Sequence, residues 1–521
     1  MGKIARYLNQ LTNGDVFDAP EILDAYSVDR SALEIRPKLV AFPESTDDIR
    51  KLVRFSGQLA GKGIKLPITV WGSGLDKMGA DLGNGMIIST EKMNKLLESD
   101  RRERLVRVQS GITLRELNTA LSVNGLTIPI EGHDNETIGG LISNCPKDNL
   151  AGKYGGIFTF VERLEVVLPS GDILQTCQMS RHAAAKKARE KTSEGRLYNK
   201  ILQLVKKNEP LIKKLRDSEQ DLAGYQNIAR VVNKSSVDLL PLFFGAQGTL
   251  GIITEVIIRA IPIQKEAKRI AIAFKDPAET EELLKFVKSL HPLKMDFYDL
   301  RAVRAAEKKG KKANEITKKM EDGFVILLKF DDKSGTKIRK IEHLGKRLPK
   351  TIRIISETNK TAGALNDLEK TLTSFVNHTQ VRSSVPLMVG FSLPDDNMAN
   401  FIDDARFLED NLGMDLTLYG SYSANNYNLA TKINPNDEDF RRQAANFLKT
   451  SAYIIKRQGG LVAGGLPEGR VKALVTETEM DEAEKSLYGA IKTAFDKQEI
   501  LNPGVKINSD SKFTIRHFRG L

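Results

Sequence analysis

The hydrophobic positions in the first half of the chain fall into short runs that end in glycine. The run LPITV (66–70) leads into WGSGLDKMG (71–79), VRVQSGITL (106–114) precedes TIGG (137–140), and FGAQGTLGIIT (244–254) is built in the same way. Residues 45–61 carry spaced apolar side chains after Ser45, a residue type that caps helices. The pattern predicts strands that alternate with helices and are joined by glycine turns.

After Pro262 the pattern changes to that of a second domain. Strands are predicted at 269–274, 324–330, 351–355, 387–393 and 415–419, with helices between them at 280–289 and 395–412. The fold class is α+β, with the strands of this cap covered by helices on one side. The predicted division is an N-terminal helical leader (1–34), a first domain (35–265), a cap (266–480) and a C-terminal return to the first domain (481–521).

Composition narrows the class of protein. A chain of 521 residues is too long for one core, and 40% hydrophobic with 28% charged residues is typical of water-soluble proteins. No apolar run approaches the ~18 residues of a membrane span, and the N-terminus lacks the apolar segment of an export signal. Cys145 and Cys177 supply neither a disulfide framework nor a zinc pattern. We expect a cytoplasmic location.

The net charge of +12 is concentrated in two segments, 181–216 and 301–350. The first belongs to a basic insertion at 179–232. Both segments have helix-forming composition, so their charges either lie on solvated helical faces or form a surface that binds an anionic membrane. The second alternative would place the protein peripherally on the inner face of the membrane. Nucleic acid is not an expected partner, because aromatic residues make up only 6% and do not interleave with the basic ones. The oligomeric state stays open.

The glycine turns have a chemical meaning of their own. Adjacent glycines let the main chain approach a flat or phosphorylated ligand, because no Cβ stands in the way. A turn that offers several main-chain N–H groups, as 71–79 does, suits a pyrophosphate. Each turn alone is a weak signal, whereas three of them in a fixed order are more specific.

In this order and spacing, the three glycine elements resemble the FAD-binding domain of the vanillyl-alcohol oxidase/p-cresol methylhydroxylase (PCMH) family. The D-lactate dehydrogenase and glycolate oxidase branch is the most similar, with further matching stretches at 36–46, 108–111, 164–171 and 500–504. The resemblance implies a two-subdomain PCMH-type FAD-binding domain and an α+β cap of the FAD-linked oxidase type. It also implies FAD as cofactor, held non-covalently, and a small-molecule substrate.

The resemblance implies which residues surround FAD. They lie in the three glycine elements, in the helix after TIGG, in the YG turn and in the C-terminal NPG turn. They are Trp71, Gly72, Ser73, Gly74, Leu75, Asp76, Thr137, Ile138, Gly139, Gly140, Ser143, Asn144, Tyr154, Gly155, Gly248, Gly251, Ile252, Ile253 and Asn502.

The cap departs from the resemblance where relatives bind a divalent metal and a 2-hydroxy acid. Ser421 and Asn428 stand at the histidine positions of the GHxGDGNxH motif, residues 464–467 read GGLP in place of GEHG, and 368–374 offer no carboxylate-binding arginine. Metal ligation needs imidazole or carboxylate groups, so we expect no metal. The candidate catalytic residues are Tyr419, Tyr422, Tyr427 and Asn428. A tyrosine at a strand end is, however, more often a packing residue.

Three functional hypotheses follow. The first is an FAD-dependent oxidoreductase that resembles D-lactate and other 2-hydroxyacid dehydrogenases, lacks their metal-binding histidines and acts on another CH–OH group. The second is a catalytically inactive scaffold, with or without flavin, that kept the fold. The third is a basic peripheral-membrane dehydrogenase that passes electrons to a quinone. Anaerobic bleaching of a flavin spectrum separates the first from the second, and salt-sensitive vesicle binding identifies the third.

Overall fold

The first domain begins with a small, mostly parallel sheet. The computed structural model describes residues 2–217, 224–264, 268–307, 316–317, 320, 322–331, 333–377, 385–462 and 467–519. The elements of this unit are α1 (Lys3–Leu11), β1 (Asp15–Phe17), α2 (Pro20–Ala25), β2 (Leu39–Phe42), α3 (Thr46–Gly61), β3 (Ile68–Trp71) and β4 (Met86–Ser89). The strand order is β1-β2-β4-β3, in which β1 alone of these four is antiparallel to its neighbour.

The N-terminal leader is not helical throughout. Strand β1 lies between α1 and α2 and pairs with β2. Ala5, Leu8 and Val16 are buried in the core beneath the sheet, so the leader contributes to that core. A strand of three residues is too short to produce a period of two, and the sequence pattern therefore did not reveal it.

A second unit follows, built on an antiparallel sheet of order β5-β6-β12-β8-β9. Its elements are β5 (Leu96–Asp100), β6 (Leu105–Gln109), α4 (Leu114–Ser122), β7 (Leu126–Thr127), α5 (Ile138–Asn144), α6 (Ala151–Tyr154), β8 (Val161–Val167), β9 (Ile173–Gln175), β10 (Met179–Ser180), α7 (Arg181–Lys187), α8 (Ser193–Lys207), α9 (Glu209–Asp217), α10 (Ile228–Val231), β11 (Ser236–Val237), β12 (Ile252–Arg259) and β13 (Ile261–Pro262). The described part of the basic insertion is largely helical, between the paired strands β10 and β11. Residues 221–223, which form part of it, lie outside the described residues.

The cap is a large antiparallel sheet whose order, among the described strands, is β17-β14-β16-β15-β19-β20-β18. Its elements are β14 (Lys268–Phe274), α11 (Glu281–Ser289), β15 (Lys294–Asp299), α12 (Leu300–Glu307), β16 (Phe324–Phe330), α13 (Gly335–Gly345), β17 (Arg353–Ser356), α14 (Ala362–Asn377), β18 (Val385–Phe391), α15 (Met398–Leu412), β19 (Thr417–Ser421), β20 (Asn426–Ile433) and α16 (Phe440–Arg457). The predicted α+β class is confirmed.

The two faces of the cap sheet differ in chemistry. Side chains alternate along a strand, so Phe297 and Tyr427 lie on one face, where they pack together with Phe391. The opposite face carries Lys294 and Asp296 on β15. That face is directed at the first domain, because Lys294 pairs with Glu131.

The C-terminal segment closes the structure by returning to the first domain. Its helices are α17 (Ala473–Glu479), α18 (Glu482–Phe495) and α19 (Ser511–Arg516). The Ile68 N–H donates to the carbonyl of Ile500 at 2.7 Å, and the Asn502 N–H donates back to the carbonyl of Ile68 at 2.8 Å. The buried ammonium of Lys492 donates to the carbonyls of Thr249 and Leu501 and to the Asp496 carboxylate, each at 2.7 Å.

Replacing Lys492 with methionine tests this closure. The variant leaves the buried Asp496 carboxylate without its cation, so we expect the free energy of unfolding to fall by about 3–5 kcal/mol. Urea unfolding followed by circular dichroism measures the change. Lys485→Met removes a partly exposed lysine of the same helix, together with its surface ion pair to Glu482, and should cost no more than about 1 kcal/mol. Equal losses in the two variants would contradict the structural role of Lys492.

Candidate cofactor and substrate site

Two adjoining cavities lie between the sheets of the first domain. The space between their walls, which includes space open to solvent, is about 500 Å³ in one and about 380 Å³ in the other. Gly72, Asp81, Gly140 and Asn144 line both of them, so we treat the two as one trench. The residues of the first cavity are Val70, Gly72, Ala80, Asp81, Thr90, Ser110, Gly139, Gly140, Ser143, Asn144, Gln247, Gly248, Gly251, Ile252 and Ile253.

The trench exists because main chains approach one another closely at its glycines. A Cβ on Gly72 would lie 2.6 Å from Thr137 Oγ1, and a Cβ on Gly139 would lie 2.8 Å from Ser110 Cβ. Thr137 in turn caps α5 by accepting the Gly140 N–H at 3.1 Å. A larger residue at position 72 would push the glycine loop away from the start of α5, and one at position 139 would push α5 away from Ser110, just after β6.

Some main-chain amides of the glycine loop are available to a ligand, and others are already used. Asp76 Oδ1 accepts the N–H groups of Met78 at 2.8 Å and Ala80 at 2.9 Å. The amides of residues 73–75 have no hydrogen-bond acceptor in the described part of the chain. A diphosphate is therefore best accommodated by residues 73–75, at the start of the loop.

A line of side-chain hydrogen bonds ties the trench walls together. Asn144 Nδ2 donates to Asp76 Oδ2 at 3.1 Å, and Gln247 Nε2 donates to Asn144 Oδ1 at 3.2 Å. The Gly469 N–H donates to Gln247 Oε1 at 3.0 Å. Asn502 Nδ2 donates to the carbonyl of Gln247 at 2.8 Å. Gln247 and Asn502 both have positive φ, at 53° and 41°, which is uncommon for residues other than glycine and is often found at functional sites.

Three carboxylic acids lie close together at one end of the trench. Burial, followed by the neighbouring Asp76, raises the pKa of Asp29 to about 8. Burial likewise raises the pKa of Asp81 well above its usual value, with Asp76 and Asp29 adding to the effect. Burial thus favours the neutral form of both carboxyl groups. The trench fits the anionic diphosphate of FAD when Asp81 carries its proton.

Most of the residues predicted to surround FAD line the trench. The second cavity is lined by Gly72, Ser73, Leu75, Asp76, Asp81, Glu136, Thr137, Gly140, Leu141, Asn144 and Pro146. Six predicted residues do not line either cavity; they are Trp71, Gly74, Ile138, Tyr154, Gly155 and Asn502.

Several of these six support the trench from behind. The Trp71 ring lies beneath Gly74, whose Cβ would come within 2.4 Å of it. Ile138 is buried in the core of the second unit, and Tyr154 packs against that core. Asn502 braces the wall, because its Nδ2 donates to the carbonyls of Ala80 and Gln247.

Sequence reasoning missed part of the trench. The missed residues are Val70, Ala80, Asp81, Thr90, Ser110, Glu136, Leu141, Pro146 and Gln247. Two of them had a visible signal. Asp81 is a carboxylate at the end of a glycine-rich loop, and Gln247 separates two glycines in the third glycine element.

The predicted catalytic residues are divided between the two faces of the cap sheet. Tyr419 and Asn428 pair across β19 and β20 and share the face that is directed at the first domain. The Tyr427 ring instead lies 5.9 Å from the Phe391 ring on the helix-covered face. Tyr422 is buried just after β19, with the Lys288 ammonium 5.4 Å from its ring centroid.

The positions at which the resemblance places histidines are on the inward face. Ser421 pairs with Asn426, and Asn428 lies two residues further along β20, so all three side chains share one face. The predicted GGLP segment lies outside the described residues at 464–466. Within the described ranges, no group of three or more His, Cys, Asp or Glu side chains is arranged to hold a metal ion.

An ion-pair cluster that the sequence did not reveal lies on the same face. Lys294 bonds to Glu131 and lies 3.7 Å from Asp296 Oδ2. Burial raises the pKa of Asp296 to about 7, although Lys294 acts in the opposite direction. The cluster adjoins the trench, because Pro146 lines the second cavity and the carbonyl of the next residue, Lys147, accepts a hydrogen bond from Asn426.

The family follows from two matches that together cover most of the chain. A family model described as an FAD binding domain matches residues 37–176, and one described as the C-terminal domain of FAD linked oxidases matches residues 263–505. The chain belongs to the FAD-linked oxidase family. The predicted resemblance is confirmed, and FAD is the cofactor. We refer to the first domain below as the FAD-binding domain.

Curated relatives agree with this assignment. D-2-hydroxyglutarate dehydrogenase of Pantoea ananatis is 25% identical over 512 residues, which cover 92% of this chain and 48% of that protein. D-lactate dehydrogenase of Anaerostipes hadrus is 24% identical over 509 residues, which cover 93% of this chain and 93% of that protein. The chain thus spans about half the length of the former and nearly all of the latter. It is an FAD-linked oxidoreductase related to D-lactate, glycolate and 2-hydroxyglutarate dehydrogenases.

Solved structures show the same fold. The structure of p-cresol methylhydroxylase with bound substrate superimposes with a TM-score of 0.67 at 14% identity, covering 98% of this chain and 97% of that one. At this identity the likeness concerns the fold alone. None of the helices described in the structure is both long enough and apolar enough to cross a membrane.

The variant Asp81→Asn tests whether a negative charge on Asp81 weakens the binding of FAD in the trench. The raised pKa means that the Asp81 carboxyl is neutral at low pH and ionises as the pH rises, whereas the FAD diphosphate is anionic throughout. Wild-type affinity for FAD should therefore fall with rising pH. The variant should bind FAD about tenfold more tightly than wild type at alkaline pH and equally tightly at acid pH, a difference equivalent to one pKa unit.

Titration of the apoprotein with FAD, followed by flavin fluorescence, measures both affinities. Asp403→Asn, which removes an exposed carboxylate from α15, is the matched control and should leave both unchanged. If wild type and Asp81→Asn showed the same pH dependence, Asp81 would not contact the cofactor.

Proposed function

We propose that the protein oxidises the CH–OH group of a small molecule bound between the trench and the inward face of the cap sheet. FAD supplies the two-electron acceptor in this reaction when it is bound in the trench. The substrate carbon gives up a hydride, its hydroxyl gives up a proton, and a carbonyl product is left. We further propose that the flavin is held non-covalently and that no metal takes part.

The proposed general base, which accepts the hydroxyl proton, is Asp296. It lies at the centre of the inward face, where it pairs with Ser421 across the sheet. Its Oδ2 lies 3.7 Å from the Lys294 ammonium, whereas its Oδ1 is buried and has no hydrogen-bond partner in the described part of the chain. Burial raises the pKa of this carboxyl to about 7, close to the value at which a general base works best near neutral pH.

Lys294 and Glu131 orient this carboxylate. Lys294 is buried between Glu131 and Asp296 and lies 3.9 Å from Glu369. Its pKa is raised by the surrounding carboxylates in spite of burial, so it stays positively charged. The fixed cation leaves the Oδ1 atom of Asp296 free to face a substrate. In this arrangement Lys294 is a positioning residue.

The arrangement differs from that expected of the relatives' 2-hydroxy acid site. In the relatives that the chain resembles, histidines that bind a metal occupy the positions of Ser421 and Asn428. An arginine binds the substrate carboxylate there. Here a buried carboxylate without a metal supplies the base. The oxidoreductase class is retained, whereas we propose a change in the means of activating the hydroxyl group.

Asp296→Asn tests the assignment of the base. The amide has nearly the same shape but does not take up a proton, so we expect the rate of flavin reduction by substrate to fall by about 10²–10⁴-fold. The bound flavin should be retained. In the wild type the rate should rise as the pH increases through about 7, because the ionised carboxylate is the active form.

Anaerobic stopped-flow absorbance in the flavin bands measures the reduction rate against a panel of CH–OH compounds. The panel includes D-lactate, glycolate, D-2-hydroxyglutarate and neutral alditols. Asp410→Asn, on the exposed side of α15, is the control and should keep the wild-type rate. A flavin-loaded protein that no compound reduces would overturn the proposal in favour of an inactive scaffold. An unchanged rate in Asp296→Asn would refute the role of Asp296.

A further inference from the structure

The junction between the inward face of the cap sheet and the FAD-binding domain contains buried acceptor atoms for which the described residues supply no hydrogen-bond donor. Five buried oxygen atoms have no donor in the described part of the chain; they are Glu131 Oε2, Asp148 Oδ2, Asp296 Oδ1, Asn426 Oδ1 and Asn428 Oδ1. We call these atoms the acceptor cluster. Four of the five residues are more than nine-tenths buried. Leaving one buried acceptor unpaired costs about 1–3 kcal/mol, so five of one kind in one place point to a missing donor-rich partner.

Hydrogen bonds and an ion pair bring the acceptor cluster together. Asp148 Oδ1 accepts the Glu131 N–H at 3.3 Å, which places these two residues side by side in the FAD-binding domain. Glu131 bonds to Lys294, two residues before Asp296 on β15. Asn426 Nδ2 donates to the carbonyl of Lys147, the neighbour of Asp148. The cluster therefore spans the junction between the two domains.

The cluster is extended, which limits its ligand. Asp296 pairs with Ser421 on β19, and Ser421 pairs with Asn426 on β20. Neighbouring strands are about 4.8 Å apart, so the acceptors of Asp296 and Asn426 are separated by about 10 Å. A single ammonium group offers its three donors at one point and reaches only part of this distance. Hydroxyl groups along a chain can reach all of it.

The negative charge of the acceptor cluster argues against a ligand that carries a carboxylate. Three of its members are acidic side chains, and the Lys294 ammonium lies within 4 Å of two of them, Glu131 and Asp296. An additional carboxylate on the ligand would be placed against these groups in a buried environment, where like charges repel strongly. Asn426 and Asn428 add acceptors without charge. A neutral molecule rich in hydroxyl groups satisfies the cluster at the lowest electrostatic cost.

We propose that the substrate is a neutral polyhydroxyl compound, an alditol or sugar, whose hydroxyl groups donate to the acceptor cluster. The inference rests on the proposed function, because the hydroxyl group next to Asp296 Oδ1 is the one oxidised. The carbon that bears it would give up a hydride, with bound FAD as the two-electron acceptor, and the hydroxyl group would give up its proton to Asp296. The product would be a ketose or aldose from an alditol, and a lactone or dicarbonyl compound from a sugar. The remaining hydroxyl groups bind to Asn426, Asn428, Asp148 and Glu131.

The test uses FAD-loaded protein under anaerobic conditions and four classes of probe. Xylitol and D-sorbitol represent open-chain polyols, D-glucose represents ring sugars, D-lactate and D-2-hydroxyglutarate represent hydroxy acid anions, and ethanolamine represents cations. Binding is measured from perturbation of the flavin spectrum and by calorimetry, and turnover is measured from bleaching. We expect a polyol or sugar to bind and to bleach the flavin, and the anions and ethanolamine to do neither.

Variants of one acceptor sharpen the test. Asn428→Ala removes a neutral acceptor and should raise the Kd for the polyol at least about tenfold, equivalent to about 1.4 kcal/mol. Asn428→Asp keeps acceptor oxygens in nearly the same place and should retain binding. Asn400→Ala, at an exposed site on α15, is the control. Flavin content and thermal unfolding are measured for each variant. Among variants that retain the cofactor, the difference in polyol affinity between Asn428→Ala and Asn428→Asp measures the contribution of the acceptor oxygen.

The outcomes separate this inference from the proposed function. Bleaching by a hydroxy acid or by ethanolamine, and not by polyols, would overturn the polyol assignment and leave the oxidoreductase function in place. Polyol binding without bleaching would support the ligand class and contradict the oxidation. A flavin-loaded protein in which no probe perturbs the spectrum or releases heat would mean that only water fills the cluster, and the inference would fail.

Discussion

The close approach of main chains around the trench is the constraint on which the rest of the structure depends. Gly72 brings the glycine loop against the start of α5, and Gly139 brings α5 against Ser110, just after β6; a side chain at either position would prevent the contact. The hydrogen-bond line from Asp76 through Asn144 to Gln247 then holds the separate segments at fixed distances. A diphosphate site made of main-chain amides has to be built in this way, because an amide cannot reach out as a side chain does.

Buried carboxylates give both parts of the site their character. In the trench they lie where a cofactor with an anionic diphosphate binds, so their protonation state and cofactor affinity are linked. On the cap sheet the same type of group, held by Lys294, becomes a base and a set of acceptors. The difference lies in the partners: Asp81 is surrounded by other acids, whereas Asp296 has a cation within 3.7 Å. Environment, more than residue type, therefore assigns the roles.

The sequence predicted the FAD-binding half well because its signals are local. Glycine turns at strand ends and the cap of α3 are readable within a few residues. The cap was harder: β15 reads KMDFYD, and its charged residues are paired with partners far away in the chain, so no local period marks it as a buried strand. Tyr427 shows a second limit, because one step along β20 moves a side chain to the opposite face, and sequence alone did not fix that register. Asp296 was missed because it lies on β15, whose sequence shows no local period.

The most direct measurement of the central claim is a crystal structure of the protein with FAD bound at acid pH, because burial raises the pKa of Asp81 and so favours its protonated form. We predict diphosphate oxygens at about 2.7–3.2 Å from the main-chain amides of residues 73–75, with the flavin end directed along the trench towards Pro146 and the cap. FAD bound outside the trench, or a diphosphate out of reach of these amides, would contradict the account.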